Sequence, residues 1–197
     1  KIKSHSAVSY TELHSFLMEL RKRKGVGARA LEFTILTGSR TRPLLLAKWE
    51  DIDFDNAIWN CPEDNMKSGN FFRIPLSEPA MNIINSQKKY SRGDYIFGHE
   101  QTGKKSSNNC MLYTIYRMGY RGKVTTHGMR STMRDWAGET TKYSERIVEV
   151  CLDHTVNTAN QAAYQRGDYL VKRREIMDGW GRFCYPSENK VIHISRR

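Results

Sequence analysis

Residues 126–137 read Thr-His-Gly-Met-Arg-Ser-Thr-Met-Arg-Asp-Trp-Ala (THGMRSTMRDWA). On a helix starting near Thr126, His127, Arg130 and Arg134 share one face, while Met129, Met133, Trp136 and Ala137 share another. The apolar face is the core side. The other face gathers an imidazole and two guanidiniums near a helix N-terminus, where unpaired N–H groups and the helix dipole also favour an anion. A phosphate fits there. Taken alone, the same pattern also describes solvated charges on an amphipathic helix, so the rest of the chain must decide between surface and site.

Working outward, the pattern is helical from Asn108 to about Tyr185, and Ser144 is expected to cap a helix that ends at Leu152-Asp153-His154. Upstream, Ser9-Tyr10-Thr11-Glu12 has the spacing of a capping box, followed by Leu13, Phe16, Leu17 and Leu20 on one face. A second helix is expected over Ala28 to Thr37, stopped by Gly38, and Pro43 suits the first turn of a third that runs to about Lys48. The runs Ala57–Cys61 and Phe71–Leu76, separated by PEDNMKSGN, read as a β-hairpin with a long connection that carries Lys67. Ser77 is expected to cap a further helix, and Tyr95-Ile96-Phe97 reads as a short strand. Val191-Ile192-His193-Ile194 alternates like an edge strand and is expected to dock on a sheet, its own or a neighbour's.

The chain of 197 residues holds 32 Lys and Arg against 21 Asp and Glu, a net charge of +11 that calls for a polyanionic partner, nucleic acid first. No apolar run approaches the roughly 20 residues that cross a bilayer, and no signal pattern opens the chain, so a soluble cytoplasmic protein without membrane partners is expected. Cys61, Cys110, Cys151 and Cys184 lie far apart and signal neither zinc nor disulfides. The start at Lys1 without methionine suggests a piece of something longer. Gly98-His99-Glu100-Gln101-Thr102-Gly103-Lys104-Lys105 imitates a phosphate-binding loop, but Lys105 stands where a Ser or Thr hydroxyl should hold magnesium. A solvated basic turn is the better reading.

Far from the opening stretch, Thr37-Gly38-Ser39-Arg40 places an arginine just after a helix stop, and Tyr164 follows His154 inside Ala162-Ala163-Tyr164-Gln165-Arg166-Gly167-Asp168. Together these resemble the tyrosine recombinase family, the phage-type integrases. The likeness runs from about Leu31 to Trp180, and Asn65-Met66-Lys67-Ser68-Gly69 is most like integrases of prophages and genomic islands. Its elements come in family order: an arginine after T-G-x, an apolar helix ending in Trp49-Glu50-Asp51-Ile52-Asp53, a hairpin lysine, H-x-x-R, L-x-H and the tyrosine.

The resemblance implies a mainly α catalytic domain with a small antiparallel β-sheet (α+β), spanning residues 1–185, with 186–197 as a C-terminal tail. The N-terminal DNA-binding domain usual in the family is expected to lie outside this chain. It further implies a DNA integration or excision enzyme of a mobile element that works without metal or other cofactor. Its partners would be duplex DNA at attachment sites, further copies of itself in a tetramer, and DNA-bending accessory proteins.

The residue roles follow by resemblance. Arg40 and Arg130 clamp the phosphate, because forked donors match its oxygens and oppose the charge that grows in the transition state. Tyr164 is the nucleophile, His127 helps to take its proton, His154 donates a hydrogen bond to the phosphate, and Lys67 is the general acid for the departing 5′-oxygen. Tyr169 is the near rival of Tyr164, and Arg134 reads as a DNA or carboxylate partner. Two positions depart from the pattern. Pro43 replaces a glutamate common three residues after the first arginine, so the partner that orients Arg40 is expected from elsewhere. Asp153 replaces a small residue and puts a carboxylate beside the phosphate unless it caps or pairs. A DNA-binding regulator on the same scaffold and a type IB topoisomerase are the alternative readings. Synapsis of two duplexes, as against swivelling of one, separates recombinase from topoisomerase.

Overall fold

The computed structural model describes residues 6–154 and 167–186, so Tyr164 and the Val191–Ile194 stretch fall outside the described residues. Helix α1 (Leu13–Arg21) buries Leu13, Phe16, Leu17 and Leu20, as their spacing predicts. The expected capping box does not form. The Glu12 N–H donates to the Ser9 carbonyl (3.0 Å) in a turn that precedes the helix, and Ser9 Oγ instead accepts from the Thr11 N–H (3.3 Å).

Helix α2 (Val26–Thr37) is the centre of the molecule. Ten of its residues are buried, because α1, α3 (Thr41–Leu46), α4 (Glu78–Gln87), α5 (Cys110–Arg117), α6 (Gly128–Thr140) and a further helix, Leu170–Cys184, all pack on it. Its approach to α5 needs Gly27, where an added Cβ would come within 2.6 Å of the Cys110 carbonyl oxygen. The one carboxylate inside it, Glu32, is fully buried and is paired with Arg21 (3.0 Å) and Arg29 (2.6 Å). The Tyr185 hydroxyl also donates to Glu32, and burial together with this carboxylate pushes the phenol well up.

Among the described residues the sheet has three antiparallel strands in the order β1 (Ile52–Asp53), β2 (Ile58–Cys61), β3 (Phe72–Pro75), with Trp59 opposite Ile52 on one side and Ile74 on the other. The predicted hairpin is β2–β3. Strand β1 corrects an expectation: the third helix ends at Leu46, and Ile52–Asp53, read as the end of a helix, pair with β2 instead. Tyr95 makes only an isolated bridge to Lys48. Among the described residues the long helical run divides into α5, α6, α7 (Glu145–Cys151) and α8 (Leu170–Cys184). Ser77 and Ser144 occupy N-cap positions without side-chain capping bonds. The Gly98–Lys105 stretch closes as a turn in which Glu100 accepts from the Val26 N–H (3.0 Å), giving α2 an acidic cap.

Trp180 on α8 is fully buried, donates from Nε1 to the Ile35 carbonyl (2.7 Å) and lies 5.0 Å from the Trp136 ring. Trp180→Ala is expected to cost about 3–5 kcal/mol, read as a lower urea midpoint at unchanged slope. All four cysteines are free thiols. Among the described residues no helix is long and apolar enough to cross a membrane, and no group of three His, Cys, Asp or Glu is placed to hold a metal ion.

Candidate active site

Three helix ends meet in one small cleft. Gly38 closes α2 in the left-handed conformation (φ 61°), packed so tightly that a Cβ there would meet Leu152 Cδ2 at 2.7 Å, and the turn it makes delivers Arg40 to the N-cap of α3. Arg130 lies in the first turn of α6, only 3% exposed. The C-terminal end of α7 supplies Leu152, Asp153 and His154. Arg40, Arg130, Asp153 and Leu152 line the cleft with Pro43 and Met66.

The contacts inside this cluster are specific. Arg130 donates from Nη2 to the Leu152 carbonyl and to His154 Nε2 (2.9 Å). His154 Nδ1 lies 2.5 Å from Glu149 Oε2. A ring nitrogen that accepts from arginine carries no proton, so in this geometry the His154 hydrogen sits on Nδ1 and points at Glu149. Glu149 also takes Arg134 (Nε to Oε1, 2.5 Å), which fits the expectation of a carboxylate partner for Arg134. Arg40 donates from Nη1 to the Asp153 carboxylate and from Nη2 to the Asp153 carbonyl (2.8 Å).

Burial first, then the charge of Arg40, pushes the Arg130 guanidinium down to about 10, with Glu149 opposing. Burial also lowers Arg40. Both remain cations at neutral pH. Nε and Nη1 of Arg130 are buried and find no hydrogen-bond partner among the described residues. Such groups are costly to bury unpaired, and an anion with several acceptor oxygens satisfies them together.

The other expected residues stand as follows. His127 is exposed at the N-cap position of α6, one residue ahead of the helix rather than within it, because Thr125 Oγ1 accepts from the Gly128 N–H (2.9 Å) and starts the helix there. Lys67 is exposed in the β2–β3 connection, next to Met66 on the cleft wall. Tyr164 lies outside the described residues. The chain following it is held to the sheet: Asp168 takes both Nε (2.9 Å) and Nη2 (3.0 Å) of Arg73 on β3. Burial alone would raise the Asp168 carboxyl, but the bonds and charge of Arg73 outweigh it and hold it below the usual carboxylate range. Fully buried Arg173 donates to the Arg73 carbonyl, with its guanidinium over the Phe72 ring (4.3 Å). Residue-by-residue reading missed Glu149, Arg73 and Arg173. Each is an ordinary charged residue until folding supplies its partner.

The fold is shared with solved structures of recombinases. The lambda integrase catalytic core superposes with a TM-score of 0.59 at 17% identity, covering 79% of this chain and 95% of that one. A lambda integrase tetramer bound to a Holliday junction gives a TM-score of 0.62 at 19% identity, covering 85% and 50%. A sequence model of the phage integrase family matches residues 9–168, and the chain belongs to that family. It is 28% identical over 213 residues to the integrase of Enterobacteria phage P4, covering 98% of this chain and 48% of that protein. It is 29% identical over 181 residues to prophage integrase IntZ of Escherichia coli (strain K12), covering 89% and 44%. The chain thus spans about half the length of the curated relatives it matches.

Proposed function

We propose that this chain is the catalytic part of a site-specific DNA recombinase that cuts one strand of a duplex and rejoins it through a 3′-phosphotyrosine on Tyr164. The observation that carries the reading is the cluster of Arg40, Arg130 and His154, drawn from three helix ends, in which Arg40 is partly exposed, Arg130 is buried, and two guanidinium nitrogens of Arg130 have no hydrogen-bond partner among the described residues. In the proposed step the Tyr164 oxygen attacks phosphorus and its proton passes to His127. The bond from phosphorus to the 5′-oxygen breaks, and Lys67 protonates that oxygen. Arg40 and Arg130 take the growing charge on the non-bridging oxygens. His154, whose ring Glu149 orients through Nδ1, donates a further hydrogen bond to the phosphate. A second 5′-hydroxyl reverses the sequence onto another strand. One phosphodiester replaces another, so the bond energy is conserved.

Residues 1–185 form the strand-cutting domain in this reading, with 186–197 as a tail. Duplex DNA at attachment sites of a prophage or genomic island is the substrate, in the cytoplasm. A tetramer of the chain on synapsed DNA is the working assembly, the state in which lambda integrase has been solved on a Holliday junction, and DNA-bending proteins assist it. The test is incubation with a pool of nicked duplexes of random sequence, followed by denaturing capture and sequencing of covalent adducts. Adducts joined at a 3′-phosphate are expected, enriched for one sequence. Absence of any adduct from the pool rejects the reading.

The charge of +11 makes a second expectation. Duplex binding should fall by at least about tenfold between 50 and 200 mM salt, through counterion release. Affinity that hardly changes in a fluorescence-anisotropy titration removes DNA as the main partner.

A further inference from the structure

The turn that ends α7 has a defined form. Asp153 N–H donates to the Val150 carbonyl (3.0 Å) and His154 N–H to the Glu149 carbonyl (3.0 Å), the paired bonds of a Schellman motif. Asp153 occupies its left-handed position, at φ 50°. Glycine is the residue that suits this position without strain, and aspartate is tolerated less well. Something other than the turn therefore favours a side chain at 153.

That side chain reaches Arg40. Its carboxylate takes Nη1, and its own backbone carbonyl takes Nη2 at 2.8 Å, so one residue grips the guanidinium at both ends. Among the described residues Asp153 is the carboxylate paired with Arg40. Pro43, which lines the same cleft, offers no polar group in its place. The residues on either side of Asp153 hold the second arginine: the Leu152 carbonyl and His154 Nε2 both meet Arg130 Nη2. Three consecutive residues thus mount two arginines that come from separate helices and repel each other. Only at Asp153 does the mount include a negative charge, which offsets that repulsion.

We infer that Asp153 is a positioning residue for Arg40: its carboxylate and carbonyl fix the guanidinium edge-on and leave Nε and the second hydrogen of each Nη directed to a phosphate. Asp153 touches no reacting atom. This inference rests on the proposed strand-cutting reaction for its kinetic consequence, and on the geometry alone for its structural one. The opposite role, a carboxylate that competes with phosphate for Arg40, predicts the opposite sign on removal.

The experiment uses Asp153→Gly, which removes the carboxylate, keeps the carbonyl and relieves the left-handed backbone. Asp153→Asn keeps the shape and removes the charge. In single-turnover adduct formation on the nicked pool, Asp153→Gly is expected to be slower by about ten- to a hundredfold, as misaimed catalytic groups are. Asp153→Asn should fall between it and the unmodified chain. Duplex affinity should stay within about threefold, and the melting temperature of Asp153→Gly should be unchanged or higher. Adding Pro43→Glu to Asp153→Gly, which returns a carboxylate to the cleft, is expected to restore part of the rate. A rate for Asp153→Gly equal to or above that of the unmodified chain overturns the inference. So does a slower rate matched by an equal loss of affinity or by a lower melting temperature.

A second measurement needs no DNA cleavage. In nitrogen-15 spectra the Arg40 guanidinium, assigned by its loss in Arg40→Lys, should rotate slowly in the unmodified chain and freely in Asp153→Gly. Free rotation in both overturns the inference even if no adduct forms. Slow rotation lost in the variant, with no adduct from any protein, upholds the grip on Arg40 and rejects the recombinase reading instead.

Discussion

Tyr164→Phe is expected to eliminate the covalent protein–DNA adduct, slowing its formation by at least about a thousandfold, while duplex binding stays within about twofold. Phenylalanine keeps the ring and removes only the oxygen that becomes bonded to phosphorus. The control is Tyr169→Phe. Tyr169 is half-buried against the core in the left-handed conformation (φ 55°) at the N-cap of α8, with Arg146 5.9 Å from its ring. It follows Asp168, which Arg73 holds to β3, so its ring belongs to the anchor of α8. Tyr169→Phe should therefore retain the adduct. Denaturing gels of both variants on the nicked pool decide the matter: an adduct kept by Tyr164→Phe and lost by Tyr169→Phe would move the nucleophile to Tyr169.

Arg130→Ala is expected to slow adduct formation by about 10²–10³, the usual loss when one preorganised donor to a developing oxyanion is removed. Arg130→Lys should recover little of it. The Leu152 carbonyl and His154 Nε2 already occupy one end of the guanidinium, and a lysine ammonium has no planar fork with which to hold them and a phosphate together. The pH dependence carries a sign. Burial pushes Arg130 down to about 10, so its charge is present at neutral pH and is lost as pH rises through that value. The informative quantity is the difference in duplex affinity between the parent and Arg130→Ala, in which every change common to both cancels. That gap should be full at pH 7–8 and close as pH passes about 10. A gap that persists unchanged to pH 11, or a cleavage rate for Arg130→Ala within threefold of the parent, rejects the assignment. The stability contribution runs the other way. A base whose folded pKa is depressed costs stability while it is charged, and that cost is relieved as pH rises through the folded value.

Much of this site was legible before folding was considered. Arg40 after the Gly38 stop, the H-x-x-R of His127 and Arg130, and the apolar face of Met129, Met133, Trp136 and Ala137 all depend on residue type and near spacing. Near spacing fixes which residues share a helix face or follow a helix end. The β2–β3 hairpin was readable for the same reason, since a turn-rich segment between two apolar runs is local information. What failed was also local, at element ends: the capping box at Ser9, the run to Lys48, and the helix start at Thr126. There a single backbone bond, such as Glu12 N–H to the Ser9 carbonyl or Gly128 N–H to Thr125 Oγ1, shifts a boundary. Strand β1 was missed because its partner, not its composition, makes it a strand. The chemistry of the cleft was decided by tertiary structure alone. Asp153 looked like an intruder beside a phosphate and is instead paired with Arg40, 113 positions away; Asp168 is held by Arg73, 95 positions away. An ion pair of that kind has no signature in either residue. Its partner is chosen by how α2, α6 and α7 pack around a shared core, and only that packing sets three helix ends side by side.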